Sequence, residues 1–118
     1  MTQLTKVEEQ IMQHLWELGE ASVKEIIARY KEPKPAYNTI STIIRILENK
    51  KIVSHRAKGR GFIYYPLVEK ENYSNASIKK IMNGYFEGSF QNMVSFFVKE
   101  NNIDTKELDE ILKLLNKK

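Results

Sequence analysis

Apolar side chains recur at three- and four-residue intervals near the start of the chain, through Val7, Ile11, Leu15 and Leu18, with Met12 and Trp16 widening the stripe. That period predicts an amphipathic helix from about Lys6 to Leu18. Thr5 and Glu8 stand in capping-box spacing, in which each side chain accepts a hydrogen bond from the other's backbone N–H. Gly19 is a natural stop, because glycine tolerates the left-handed conformation. Ser22 and Glu25 repeat the box and open a second helix, whose inward side is Val23, Ile26, Ile27 and Tyr30. Pro33 and Pro35 exclude helix from the connection that follows. A third helix is predicted from about Ala36 to Asn49, with Tyr37, Ile40, Ile43, Ile44 and Leu47 as its apolar stripe.

The other side of that third helix reads Asn38, Thr39, Ser41, Thr42 and Arg45. Short hydrogen-bonding side chains of this kind are mediocre helix formers, and a solvated helix normally carries Glu and Lys instead. A helix face that approaches base edges tolerates that cost. The period then changes to two. Ile52 to Ala57 and Phe62 to Tyr65 read as strands around Lys58-Gly59-Arg60-Gly61, which predicts a hairpin with a cationic tip. Three helices followed by a basic hairpin is the winged-helix order, with the third helix in the recognition position.

After Pro66 the helical period returns. Asn72 to Phe86 reads as a helix weakened by Gly84, with Ile78, Ile81, Met82, Tyr85 and Phe86 apolar. Phe90, Met93, Val94, Phe97 and Val98 continue the spacing, with Phe96 beside them. Asp104 and Glu107 form an Asp version of the capping box ahead of Leu108, Ile111, Leu112 and Leu115. The expected architecture is mainly α with a small β-hairpin: a winged helix-turn-helix domain over residues 1–68 and a helical dimerisation region over 69–118.

Charge sharpens this reading. Residues 1–66 hold 11 Lys and Arg against 7 Asp and Glu, whereas residues 67–118 hold 8 of each. Most of the excess lies between Arg45 and Arg60, where Lys50, Lys51, Arg56 and Lys58 also stand and Glu48 is the only acid. A local excess of that size suits a polyanion. The chain has no cysteine and only two histidines, His14 and His55. Disulfides, thiolate metal sites and cysteine nucleophiles are therefore excluded, and no metal or cofactor is expected. Both histidines read as structural or phosphate-neighbouring. No stretch approaches the roughly 18–20 apolar residues of a membrane span, and Met1 to Lys6 lacks the apolar region of a signal peptide. A soluble cytoplasmic protein is expected, and not an enzyme.

In a major groove, Asn can pair with adenine, Thr can hydrogen-bond or touch a thymine methyl, and Arg45 can hold a phosphate or a guanine. Arg56, Lys58 and Arg60 of the hairpin suit phosphate contacts or the minor groove, and such contacts position a protein without reading sequence. The C-terminal helices are too short a segment to bury much apolar area alone. A two-fold homodimer would cover Tyr85, Phe86, Phe90, Met93, Phe97, Leu108, Ile111, Leu112 and Leu115. Two other readings differ in class. A winged helix that serves only protein–protein interaction would present an acidic or apolar third helix, and this one is neither. A small-molecule sensor would need an apolar pocket with convergent polar groups.

The chain resembles, nearly end to end, the BlaI/MecI/CopY penicillinase-repressor family. The resemblance is carried by Trp16, the run Asn38-Thr39-Ile40-Ser41-Thr42, and the wing ending Tyr64-Tyr65-Pro66-Leu67-Val68-Glu69. It continues through Phe90 to Glu100 and Glu110 to Lys118, with Leu115-Asn116-Lys117-Lys118 at the close. It implies a dimeric winged-helix repressor of a palindromic double-stranded DNA operator. It also implies relief of repression when a membrane-bound zinc metalloprotease sensor causes cleavage in the dimerisation region. The family's base-contacting positions fall on Asn38, Thr39, Ser41 and Thr42. Both threonines match, while Asn38 and Ser41 stand where staphylococcal-type members carry Lys and Arg. The cleavage point falls at Phe96-Phe97, where relatives carry Asn-Phe. The copper-responsive branch uses a C-terminal cysteine cluster, which this chain lacks.

Overall fold

The computed structural model describes residues 3–116; Lys117 and Lys118 of the closing stretch lie outside the described residues. Its elements run α1 (Lys6–Leu18), α2 (Val23–Ala28), α3 (Tyr37–Asn49), β1 (Val53–Lys58), β2 (Gly61–Pro66), α4 (Lys70–Tyr85), α5 (Phe90–Glu100) and α6 (Thr105–Asn116). The chain divides into two compact units between Ala76 and Ser77.

In the first unit both capping boxes form as their spacing predicts, Thr5 with Glu8 and Ser22 with Glu25. Gly19 ends α1 at φ +82°, and its N–H donates to the Leu15 carbonyl. The buried side of α1 centres on Glu8, Ile11, Met12 and Leu15. Val7 was expected on that stripe, but at 100° per residue it falls at the edge and stays exposed. Ile11, Met12 and Leu15 pack with Ile26 of α2 and with Ile40, Ile44 and Leu47 of α3 in one cluster, which Val53 and Tyr64 of the hairpin close. α2 stops at Ala28, short of Tyr30, yet Tyr30 still packs against this core.

The hairpin pairs Val53 with Pro66 through to Lys58 with Gly61, which leaves Gly59 and Arg60 as a two-residue turn. Gly59 has φ +61°. A positive φ at the first central residue alone is the type II′ pattern, which glycine adopts without a Cβ penalty. Ala21 adds an edge that the sequence did not reveal: it exchanges both backbone hydrogen bonds with Tyr64, at 2.9 and 2.8 Å. The first unit extends past residue 68 because Trp16 donates its indole N–H to the Val68 carbonyl at 2.8 Å and its ring meets Tyr73 at 5.8 Å. Buried Tyr73 in turn accepts a hydrogen bond from the Leu4 N–H.

α3 closes with a Schellman turn. Lys51 N–H bonds to the Glu48 carbonyl and Ile52 N–H to the Leu47 carbonyl, each at 3.0 Å, with Leu47 and Ile52 both buried. Lys51 occupies the left-handed position at φ 64°, where a side chain costs about 1 kcal/mol that glycine does not. Lys51→Gly is therefore expected to raise stability by roughly 0.5–1 kcal/mol in denaturant titration. A loss instead would show that the Lys51 side chain stabilises the turn by more than its strain.

In the second unit α4 runs through Gly84 to Tyr85. Ser89, which the sequence reading passed over, caps α5 by accepting from the Asn92 N–H at 3.1 Å. Asp104 accepts from Lys106 N–H rather than completing the expected box with Glu107. No described side chain from Ser77 to Leu115 is buried. Among the described residues, no helix is long and apolar enough to cross a membrane.

Candidate nucleic-acid interface

Three elements converge beside α3. Its first turn follows Ala36, an N-cap residue whose side chain makes no capping bond. Asn38, Thr39, Thr42 and Arg45 are exposed on its outer side, and their spacing places Asn38, Thr42 and Arg45 along one line of the helix. Ser41 departs from expectation. It is only 9 % exposed, because at 100° per residue it sits a sixth of a turn from the buried Ile44. Tyr37 departs in the opposite sense: assigned to the apolar stripe, it is 51 % exposed, at the first turn, beyond the edge of the core.

Between α2, α3 and the hairpin lies an open concavity of about 600 Å³. Asn38, Ser41 and Arg45 line it from α3 and Arg60 lines it from the wing, so four of the sequence-predicted residues meet there. Thr39 and Thr42 lie outside its lining, on the exposed ridge of α3. Lys58 is exposed on the final position of β1. Arg56 does not join them. It points to the other side of the hairpin, where its guanidinium meets the Glu20 carboxylate at 2.6 Å. Lys24, Tyr37, Glu48, His55 and Phe62 also line the concavity. Nothing in one dimension links Lys24 to α3, since only folding brings the start of α2 alongside.

His55 bonds through Nδ1 to the Glu48 carboxylate and rests edge-on against Phe62 at 4.9 Å. The wing is thereby tied to α3, and the one acid in the basic window is engaged. Lys50, counted in the same window, instead reaches the buried Glu8 at 2.8 Å from both carboxylate oxygens. Burial pushes the Glu8 carboxyl up, but the hydrogen bonds from Lys50 and Thr5 and the Lys50 charge outweigh it. Glu8 therefore lies below the ordinary carboxylate value of 4.5. His14 is not part of the concavity's lining; its ring packs on Tyr30 at 4.6 Å. Burial, helped by the Arg29 charge, holds His14 below its ordinary 6.5. Among the described residues no cluster of His, Cys, Asp and Glu could hold a metal ion.

The second unit carries a different surface. Phe86 and Met93, with Ile78, Ile81, Val94, Phe96 and Phe97, line an apolar groove of about 540 Å³. Phe86 and Phe96 meet there with ring centroids 5.5 Å apart. Tyr85, Phe90, Ile111, Leu112 and Leu115 are exposed, and Leu108 is half-buried. The Phe96-Phe97 bond lies inside helix α5.

A three-helix cluster whose third helix lies exposed beside a basic two-stranded wing defines a winged-helix protein of the DNA-binding type. Residues 4–117 match the profile of the penicillinase repressor family. The chain belongs to that family, a family of transcriptional repressors rather than enzymes. It is 28 % identical over 117 residues to the methicillin resistance regulatory protein MecI of Staphylococcus aureus strain N315, covering 98 % of this chain and 95 % of the relative. It is 23 % identical over 114 residues to the penicillinase repressor of Bacillus licheniformis, covering 96 % and 89 %. The solution structure of the DNA binding domain of the repressor BlaI superposes with a TM-score of 0.53 at 25 % identity, over 60 % of this chain and 88 % of that one. The monomeric form of Bacillus licheniformis BlaI in complex with the blaP half-operator gives 0.51 at 25 % identity, over 61 % and 89 %.

Proposed function

We propose that this repressor acts in the cytoplasm as a homodimer on a palindromic operator, with α3 of each protomer in a major groove and the wing on the flanking backbone. The observation that carries the reading is the exposed row of Asn38, Thr39 and Thr42 beside Arg45 and Arg60, neither of which forms a salt bridge with a described residue. Short polar side chains on an outward ridge suit base edges, and free cations at its border suit phosphate. The exposed apolar residues of α4, α5 and α6 supply the surface for a second copy, and two-fold symmetry would present two α3 helices to two half-sites. Relief of repression by a membrane-bound metalloprotease sensor belongs to the same proposal. Because Phe96-Phe97 is helical, cleavage there requires α5 to open locally, and a cut would divide the apolar groove.

The test is fluorescence anisotropy against duplex DNA from immediately upstream of the protein's own gene, with a shuffled duplex beside it, across a salt series. A dimer that neutralises on the order of 8 phosphates should give a slope of log K against log salt of about −7. Thr42→Ala should weaken the upstream duplex by about 1–3 kcal/mol and leave the shuffled one nearly unchanged. Arg60→Ala should weaken both alike and flatten the slope. Equal loss on both duplexes for Thr42→Ala would refute base reading. Absence of binding by a folded wild-type dimer would turn the reading to a protein-interaction module.

A further inference from the structure

We propose that the concavity between α2, α3 and the wing holds one strand of the DNA backbone, with Lys24 and Tyr37 as phosphate ligands alongside Arg45 and Arg60. The inference rests on the DNA-binding reading above and divides that interface in two. Three cations reach the concavity from three separate elements: Lys24 from α2, Arg45 from α3 and Arg60 from the wing turn. Its single carboxylate, Glu48, is bound by His55. Three cations elsewhere on the same unit are held by acids, Arg29 by Glu17, Lys50 by Glu8 and Arg56 by Glu20. Lys24, Arg45 and Arg60 form no salt bridge with any described residue. Three cations facing one carboxylate leave the cleft with an excess of positive charge, and a concave surface focuses that field on a polyanion.

Geometry selects the ligand. A helix about 10–12 Å across fills a major groove about 12 Å wide, so a strand that borders the groove must pass along the flank of the inserted helix. The flank of α3 toward α2 and the wing is this concavity, whereas Thr39 and Thr42 lie away from its lining. Arg45 is then a backbone ligand rather than a guanine reader, and base reading falls to Thr39 and Thr42, with Asn38 on the border between the two surfaces. Tyr37 is half exposed at the rim, where its hydroxyl can donate to a phosphate oxygen. Lys24 is exposed on the second residue of α2, so its removal leaves the core intact.

The experiment uses the full-length protein and the same two duplexes. Lys24→Ala should weaken both about tenfold and reduce the steepness of the salt dependence by about 2 for a dimer, one phosphate per protomer at roughly 0.9 each. Tyr37→Phe, which deletes only the hydroxyl, should weaken both by about three- to tenfold. A scan of single methylphosphonate substitutions through the upstream duplex adds a readout that general destabilisation would not move. One neutralised phosphate per half-site should weaken wild-type binding and should cost Lys24→Ala much less. Unchanged affinity and slope in both variants, with operator preference intact in the wild type, would overturn the cleft alone. A loss confined to the upstream duplex would make Lys24 a base reader and overturn it too. Loss of operator preference in the wild type would overturn the underlying reading instead.

Discussion

Phe97→Asp is expected to halve the mass measured by light scattering and to weaken operator binding by roughly a hundredfold or more. Phe97 stands on the wall of the α4–α5 groove and is 57 % exposed within the protomer. Phe90 and Leu115 are more exposed still. A unit in which no described side chain is buried cannot owe its order to its own core, because burial of each large apolar side chain contributes about 1.5–3 kcal/mol only when water is removed from it. In the proposed dimer a second copy would remove that water, and two-fold symmetry would place the introduced carboxylate in the interface twice. Desolvating an unpaired carboxylate opposes association far more than the lost ring does. The operator effect follows from linkage, since a dimer gains its second half-site intramolecularly and a monomer does not, a difference of roughly 10²- to 10⁴-fold. Thermal melting of the first unit should be unchanged, because its core includes nothing from α5. A wild-type dimer whose Phe97→Asp variant keeps the dimer mass would sink the assignment of this surface.

The second large effect is expected at Glu8, a carboxylate standing in the buried helical row of Ile11, Met12 and Leu15, where an apolar side chain would be usual. It is 4 % exposed, it closes the capping box with the Thr5 N–H at 2.8 Å, and it takes both hydrogen bonds from Lys50. Loss of a cap costs about 1 kcal/mol. Removal of one partner of a fully buried ion pair costs about 3–5 kcal/mol, and less here because the Lys50 side chain keeps 28 % exposure. Glu8→Ala should therefore lose about 2–3 kcal/mol, a fall in Tm of roughly 10 °C. Glu8→Gln, which can still cap, should lose about half of that.

The two variants also separate the pH dependence. The Glu8 carboxyl is depressed in the folded protein, so its contribution is fully present above the ordinary value of 4.5 and disappears as pH falls through the folded value. His14 is depressed as well. The unfolded chain takes up its proton first, and stability declines as pH drops below 6.5 toward the folded value. Denaturant midpoints measured across pH should show both declines in the wild type. The lower one should be missing in Glu8→Gln, and its persistence there would assign acid sensitivity to another carboxylate.

The Thr5/Glu8 and Ser22/Glu25 capping boxes, the Gly19 stop and the Gly59 turn were legible because each depends on neighbours within a few residues, although the same spacing at Asp104 and Glu107 closed no box. Four of the eight residues assigned to DNA, Asn38, Ser41, Arg45 and Arg60, do meet at one concavity, because α3 and the wing are adjacent in sequence as well as in space. The departures share one cause. Val7, Tyr37 and Ser41 lie at the edges of helical stripes, where periodicity assigns a side but only the neighbouring element decides whether it is covered. Charge misled in a similar way. Lys50 and Arg56 counted toward a basic window, yet each is drawn to an acid far away along the chain, Glu8 and Glu20.

The amino-acid order by itself determined the sequence of elements, the polar character of the third helix, the cationic wing and the surplus of apolar residues after Pro66. All of these follow from local propensity and period. Only the tertiary structure decided which cations remain free, that Lys24 and Tyr37 belong beside Arg45 and Arg60, that Ala21 extends the hairpin, and that the last helices keep their apolar faces outside. Pairing and burial depend on which surfaces meet in space, and separation along the chain does not encode that.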